Sequence, residues 1–246
     1  MAEKAWYKDW FNSPYYHKLY FERDQNEANS FINNLINYLQ PATGSTMLDV
    51  ACGRGRHSIS LAEMGFNLTG IDISPSSIAH AKQFEKDNLE FYQHDMRLPF
   101  RVNYYDYAFN FFTSFGYFNT RREHDDTIRT IANSLKQNGI FVLDYLNVHF
   151  SEDHFVHNEE KIIDGVHYEI HRWQDATHFH KKISVRDALL TYPLEHTEKV
   201  AKFSLGDFTD MLSYQHLQVQ EVFGDYQLGN YHIRNKPRLI IIAKKS

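Results

Sequence analysis

Three groups of residues with the chemistry to hold a nucleoside follow three predicted strands in turn. The first is the loop at 49–55, where two glycines permit a sharp turn and close approach of the backbone to a ligand. The second is Asp72, whose carboxylate can accept hydrogen bonds from both hydroxyls of a ribose. The third is Asp95 with Met96, a carboxylate for an exocyclic amine beside an apolar thioether for a purine face.

These groups can meet only if the strands before them lie side by side. Predicted strands cover about 46–51, 67–73, 88–93, 106–112, 139–146, 217–223 and 238–243, and predicted helices cover about 59–64, 75–86, 122–136 and 205–215. Alternating β and α elements predict an α/β fold with a doubly wound, mostly parallel sheet. In such a sheet ligands bind beyond the carboxyl ends of the strands, where all three groups lie.

Two segments depart from this alternation. Residues 159–203 alternate polar and apolar side chains, which is typical of antiparallel strands with one exposed face, and we interpret 147–204 as an inserted β cap after the fifth strand. Residues 1–45 combine many aromatic side chains with an amphipathic helix at 24–39, and predict an N-terminal helical arm. We therefore predict one domain over 1–246 with these two additions.

The motifs, taken in order, resemble those of the class I (Rossmann-like) S-adenosylmethionine (SAM)-dependent methyltransferases. LDVACGRGRHS at 48–58 is similar to that family's cofactor loop, GIDIS at 70–74 to its ribose motif and QHDMRLPF at 93–100 to its adenine motif. The resemblance extends through DYAFNFFTSFGYF at 106–118 to RLIIIAKK at 238–245. The ordered set is far more specific than any one of its members.

The resemblance implies a seven-stranded sheet with a reversed last strand, SAM as cofactor, S-adenosylhomocysteine (SAH) as product and a small-molecule methyl acceptor. It also implies that the loop glycines underlie the methionine part of the cofactor, while Asp49 orients the loop or reaches the cofactor's amino group. The expected cofactor-binding residues are Asp49, Ala51, Cys52, Gly53, Gly55, Asp72, Ile73, Asp95 and Met96. Ala51 is a departure, because the family's loop more often has its first glycine there.

The acceptor is expected beside the segment that follows the fourth strand. Its aromatic side chains could wall a pocket, and the candidates are Ser114, Phe115, Tyr117 and Phe118. No general base can be assigned, although a histidine in or near the insertion could serve: His149, His154, His157, His167 or His171. Tyr16 and Tyr20 of the arm are further candidates for ligand contact. No metal ligand is expected.

The composition limits partners and location. The chain of 246 residues has a formal net charge of −5, which gives no general attraction for nucleic acid or an anionic membrane. Its one cysteine, Cys52, rules out an intramolecular disulfide and suits a reducing, cytoplasmic compartment. The first residues lack the apolar core of a signal peptide and no apolar run reaches membrane-spanning length, so we expect neither export nor a membrane span. The insertion could also form a homodimer.

Three other functions compete with this one. A nicotinamide or flavin oxidoreductase needs a third loop glycine, and Ser58 occupies that position. A nucleic-acid base methyltransferase of the amino-methylating kind would carry Asn/Asp-Pro-Pro-aromatic after the fourth strand, where this chain has NFFT at 110–113. A non-catalytic module that binds SAM or SAH and signals to a partner stays open.

Overall fold

A seven-stranded sheet forms the centre of the computed structural model, which describes residues 6–21 and 25–246. Its strands are β1 (Thr46–Val50), β2 (Asn67–Asp72), β3 (Leu89–Gln93), β4 (Tyr105–Asn110), β5 (Leu135–Leu146), β10 (Leu217–Phe223) and β11 (Arg238–Lys245), in the order β10-β11-β5-β4-β1-β2-β3. The first five strands pair in parallel, and β11 runs antiparallel to both of its neighbours. The predicted mostly parallel sheet with a reversed last strand is confirmed.

Helices cover both faces of this sheet. The helices of the described residues are α1 (Trp6–Phe11), α2 (Pro14–Phe21), α3 (Gln25–Leu39), α4 (Arg56–Glu63), α5 (Pro75–Ala81), α6 (Arg121–Ser134), α7 (Val148–Asp153) and α8 (Leu205–Ser213), of which five pack on the sheet. One core packs α3, α4 and α5 on the sheet, with Phe31 and Leu61 fully buried. The other packs α6 and α8 on the opposite face around Ile128 and Phe208. The apolar strands are thus covered on both sides, as their composition predicts.

Local signals start the helices where the sequence places them. Ser204 accepts a hydrogen bond from the backbone of Asp207 in a capping box at α8, as its sequence pattern predicts. Ser74 caps α5 with Pro75 in the first turn. The predicted helix at 75–86 ends as an α-helix at Ala81 and continues as a 3₁₀ turn, Lys82–Phe84. No helix within the described ranges is long and apolar enough to cross a membrane.

The insertion forms a second sheet of four antiparallel strands, β6 (Asn158–Ile163), β7 (Val166–Gln174), β8 (His178–Arg186) and β9 (Leu194–Ala201). Its alternation buries Tyr168, Ile170 and Ile183 on one face. That face lies on the short helices α1 and α2, where Trp10 is fully buried in the same cluster. The apolar face of the cap is therefore covered by the N-terminal arm of the same chain. Residues 1–5 and 22–24 of the predicted arm lie outside the described residues.

The fifth strand differs from the prediction at its start. β5 begins at Leu135, directly after α6, whereas the sequence predicted helix to 136 and strand from 139. Leu135 pairs with Tyr105 of β4, and the Lys136 ammonium lies 2.9 Å from the Asp106 carboxylate. Pairing and charge contacts with the neighbouring strand thus draw the polar segment Lys-Gln-Asn-Gly into the strand.

Candidate functional site

One cavity of about 640 Å³ opens where the carboxyl ends of β1, β2, β3 and β4 meet the arm and the cap. Eight of the nine predicted cofactor residues line it, and the exception is Gly55. Three of the four predicted acceptor residues line it as well, and the exception is Phe115. Tyr16 and Tyr20 also face this space. The topology of the sheet thus brings the three polar groups found in the sequence into one site.

The glycine loop and Asp72 form a single unit at the floor of the cavity. The Asp72 carboxylate accepts hydrogen bonds from the Gly53 amide at 2.9 Å and the Ser74 amide at 2.8 Å. Burial raises the pKa of Asp72 above its ordinary value, against the lowering effect of these backbone bonds. Gly53 has a left-handed backbone with φ 57°, and apart from its own chain neighbours no atom of the described residues lies within 4 Å of the place where a Cβ would stand. The loop therefore presents bare backbone to the cavity.

The other two small loop positions are used differently. Ala51 adopts φ 61°, a left-handed conformation that is strained for a residue with a side chain. Gly55 has φ 84° and precedes α4, and a Cβ there would come within 2.6 Å of the Phe91 ring. Gly55 thus makes room for Phe91 behind the loop and, unlike Gly53, does not line the cavity.

Asp49 supports the loop from below. Its carboxylate is 1% exposed and accepts a hydrogen bond from the Ser58 hydroxyl at 2.6 Å. Burial raises the pKa of Asp49 to about 6, and the bond from Ser58 acts in the opposite direction. Ser58 therefore ties the first turn of α4 to the end of β1. In the sequence, this residue indicated only that the third glycine of a dinucleotide-binding loop is absent.

Asp95 and Met96 stand at the end of β3, and their surroundings hold them rigidly. Arg97 donates from Nε to Asp95 Oδ1 at 3.0 Å and from a terminal nitrogen to Oδ2 at 2.7 Å, and it also pairs with Glu123. The Thr130 hydroxyl donates to the Met96 carbonyl at 2.6 Å. Both residues reach the cavity from this fixed backbone, although Asp95 already shares its oxygens with Arg97.

A strained turn follows β4 on the acceptor side. Phe112 and Thr113 both have left-handed backbones, with φ of 55° and 58°. Asp144 of β5 is fully buried beneath them and accepts a hydrogen bond from the Phe112 amide at 2.7 Å. Arg238 of β11 donates to Asp144 Oδ1 at 2.8 and 2.6 Å and to the Thr113 hydroxyl at 3.0 Å. Two strained residues in a row persist because this buried ion pair holds them.

The turn also contacts the cofactor loop. The Phe112 ring stacks on His57 of α4 at 5.0 Å between centroids, and the Arg56 guanidinium lies 5.3 Å from the same ring. Sequence reasoning missed Asp144 and Arg238, although a carboxylate inside an apolar strand is a signal that could have found Asp144. The Asp144–Arg238 pair thus links the sheet to the turn after β4, which leads into the predicted acceptor residues.

Phe115 does not line the cavity with the other predicted acceptor residues. It is fully buried in the core under α6 and α8, with its ring 5.6 Å from Phe208 and 5.1 Å from His124. Gly116 turns the chain with φ 96°, so the side chains before and after it face different sides. The prediction that Phe115 lines the substrate pocket is wrong for this reason.

The histidines at the cavity are not those proposed from the sequence as a general base. None of the five insertion histidines lines it; His149 and His167, for example, lie beside Glu152 and Glu160 outside the cavity. Four other histidines line it instead, namely His80, His94, His17 of the arm and His57 of α4, and burial lowers the pKa values of His17 and His57 to about 4 and about 3. Both are therefore neutral near pH 7.

Three nitrogens at this cavity are buried without a hydrogen-bond partner among the described residues. They are His17 Nε2, Arg54 Nε and His57 Nε2. Buried polar groups are normally satisfied, so orphaned nitrogens that border one cavity indicate a polar ligand. His17 and Arg54 are close enough for the arginine charge to contribute to lowering the pKa of His17. The sequence offered no signal for His17, because its position depends on how the arm folds back.

The arm and the cap close the remaining side. Tyr7 and Phe11 meet Phe118 and Tyr117 edge to face, with centroids 5.8 and 5.2 Å apart. From the cap, Glu198 of β9 reaches the cavity, and its Oε1 accepts hydrogen bonds from the Trp10 indole and the Tyr20 hydroxyl, each at 2.7 Å.

Comparison with known proteins then identifies the family. The family described as "Methyltransferase domain" matches residues 41–188, which is more than half of the chain. The chain belongs to this family. The recognition made from the sequence motifs is thereby confirmed.

Individual relatives are more distant. A Geobacillus sp. (strain WCH70) protein named as a candidate methyltransferase is 28% identical over 156 residues, which cover 60% of this chain and 63% of that protein. The chain thus spans less than two thirds of that curated relative. An S-adenosylmethionine-dependent methyltransferase from Clostridium acetobutylicum ATCC 824 has a similar fold, with a TM-score of 0.79, 18% identity and coverage of 94% of this chain and 96% of that one. The sugar N-methyltransferase KedS8 from Streptoalloteichus sp ATCC 53650 has a TM-score of 0.73 at 18% identity, with 93% and 92% covered.

Proposed function

We propose that this protein transfers a methyl group from SAM to a small-molecule acceptor. The observation that carries the proposal is the single cavity, in which the glycine loop, Asp72 and Asp95 face an aromatic wall built by the arm and the turn after β4. A site for a nucleoside cofactor and a site for a second molecule therefore share one cavity. Membership of the methyltransferase family supports the same reading.

The residues present fit SAM. The Asp72 carboxylate accepts backbone hydrogen bonds on both oxygens and keeps lone-pair capacity for a ribose hydroxyl. The open space beside Gly53 permits close approach of the methionine part. Arg54 and His17 carry orphaned nitrogens that would hold its carboxylate. When bound, the cofactor supplies a methyl group that its sulfonium has already activated.

The chain's own task is then alignment of the acceptor. The Asp144–Arg238 pair fixes the turn that carries Ser114, and Tyr117 and Phe118 pack against aromatic residues of the arm. A wall held in this way keeps the acceptor atom near the methyl group, which lowers the entropic part of the barrier. The cap presses the arm over the cavity and so limits the entry of water.

The test is transfer of label from SAM carrying a tritiated methyl group to the low-mass fraction of a cell extract. We expect labelled small molecules with the wild-type protein and their loss in D72A. Binding of SAM without any transfer would overturn the enzymatic proposal and leave the non-catalytic module. Label in nucleic acid would contradict the acceptor class.

The class of acceptor, the location and the oligomeric state are finer points of the proposal. The net charge of −5 supports excluding nucleic acid as acceptor. A cytoplasmic location and a homodimer through the cap stay predictions. Because the arm already covers the apolar face of the cap, a dimer would have to use its polar face or its edge strands.

A further inference from the structure

The side of the cavity formed by the arm and the cap carries one carboxylate, Glu198, among aromatic side chains. We call this surface the arm-and-cap wall, and its residues are Tyr7, Phe11, Tyr16, His17, Tyr20 and Glu198. Burial holds the pKa of His17 at about 4, so this histidine is neutral near pH 7. Within the described residues, no lysine or arginine of the arm or cap lines the cavity. The wall therefore combines aromatic rings with one carboxylate.

Glu198 is held in place by groups on three elements. Trp10 of α1 and Tyr20 of α2 both donate to its Oε1. Lys181 stands directly across from it on β8, with its ammonium 3.5 Å from Oε2 and in hydrogen-bond contact with the Tyr20 hydroxyl. The Glu198 side chain is only 12% exposed. Its Oε2 accepts no hydrogen bond from the described residues, so lone pairs remain for a donor on a ligand.

We propose that the arm-and-cap wall binds an amine, and that the methyl acceptor is an amine nitrogen whose N–H donates to Glu198 Oε2. The inference rests on the proposed function. A carboxylate accepts from an ammonium or an amine N–H, and aromatic faces attract the positive charge of an ammonium. Because Lys181 already pairs with Glu198, the preference for an amine comes from the acceptor lone pairs of Oε2 and from the aromatic rings, and an acidic acceptor finds no hydrogen-bond donor on Glu198.

The chemistry balances for this acceptor. The lone pair of the deprotonated amine forms the new N–C bond while the C–S bond breaks, and its electron pair stays on sulfur. The methylated nitrogen then releases one proton to solvent. Glu198 takes no part in bond formation, and its role is to hold the N–H so that the lone pair faces the methyl group.

The experiment compares three probes of the same shape. The SAH-saturated full-length protein is titrated near neutral pH with cyclohexylamine, cyclohexanol and cyclohexanecarboxylate, and binding is followed by ligand-observed NMR. We expect the amine to bind at least about tenfold more tightly than the alcohol, with the carboxylate weakest. In E198Q the preference for the amine should fall to about threefold or less.

A matched control is available on the same strand. Glu195 pairs with Lys182 on the opposite face of the cap sheet and does not line the cavity, so E195Q should keep the full preference for the amine. If E198Q no longer binds SAH, Tyr20→Phe replaces it. This variant removes a hydrogen bond that fixes the orientation of the same carboxylate, so Oε2 is held less well toward the cavity and the amine preference must fall below that of the wild type.

The outcomes separate the two proposals. Failure of the wild type to bind SAH overturns the proposed function. Normal SAH binding with equal affinity for the three probes, or with the alcohol or carboxylate preferred, overturns only the amine assignment. An amine preference that survives unchanged in E198Q overturns the role of Glu198.

Discussion

Replacing Ala51 by glycine should stabilise the protein, although glycine usually has the opposite effect. Ala51 lies in the left-handed region at φ 61°, where a residue with a Cβ is strained by about 1 to 2 kcal/mol. Glycine removes this strain but loses about 0.5 to 1 kcal/mol through the greater freedom of the unfolded chain. The net expectation is a gain of about 0.5 to 1 kcal/mol in the free energy of unfolding.

Urea unfolding at equilibrium measures this change. With a slope of about 3 kcal/mol per molar urea, A51G should move the midpoint upward by about 0.2 M. The matched control is A79G, because Ala79 is exposed inside α5 and has no strain to relieve. That variant should lose about 0.5 to 1 kcal/mol. If A51G is destabilised as much as A79G, the loop is not strained at this position and the reasoning fails.

Three further predictions concern the site. D72A should weaken SAH binding by about 1.5 to 3 kcal/mol in calorimetry, because it removes a charged acceptor from the ribose hydroxyls, and unchanged affinity in the folded variant would show that the cofactor lies elsewhere. H57F should make the free energy of unfolding depend less on pH in acid. Burial holds the pKa of His57 at about 3, against 6.5 in the unfolded chain, so the neutral histidine contributes fully to stability above about pH 6.5 and this contribution is lost as the pH falls toward 3. An unfolding profile between these pH values that matches the wild type would contradict this. D144N should reduce kcat at least about tenfold while SAH affinity stays within about 1 kcal/mol, because the turn after β4 loses its charged anchor. The control R234K, in the exposed ion pair with Asp153, should change neither kcat nor SAH affinity.

The sequence predicted the elements whose signals are local. Alternation of apolar runs and helical periodicity located all seven strands of the central sheet, and the glycine loop, Asp72 and Asp95 were found because each follows a strand directly. The error at Leu135 arose because Lys-Gln-Asn-Gly has the composition of a turn, while pairing with Tyr105 keeps it in the strand. Tertiary pairing overrode local preference there.

The acceptor side could be predicted only in part, because its contacts join distant segments. His17 and Glu198 reach the cavity through the packing of the arm against the cap, which no local pattern reports. Phe115 was misassigned because the residues around Gly116 gave no indication of which side chains face the core. The insertion histidines had the right chemistry for a base, but three of them lie in or after α7 and two on β7, and none of these positions lines the cavity.

The central claim is that the cavity at the ends of β1, β2 and β3 holds SAM, and calorimetric titration of the purified protein with SAH tests it most directly. The account predicts a dissociation constant in the micromolar range, about −8 kcal/mol, and no measurable heat with NAD under the same conditions. Binding of NAD without binding of SAH would contradict the account.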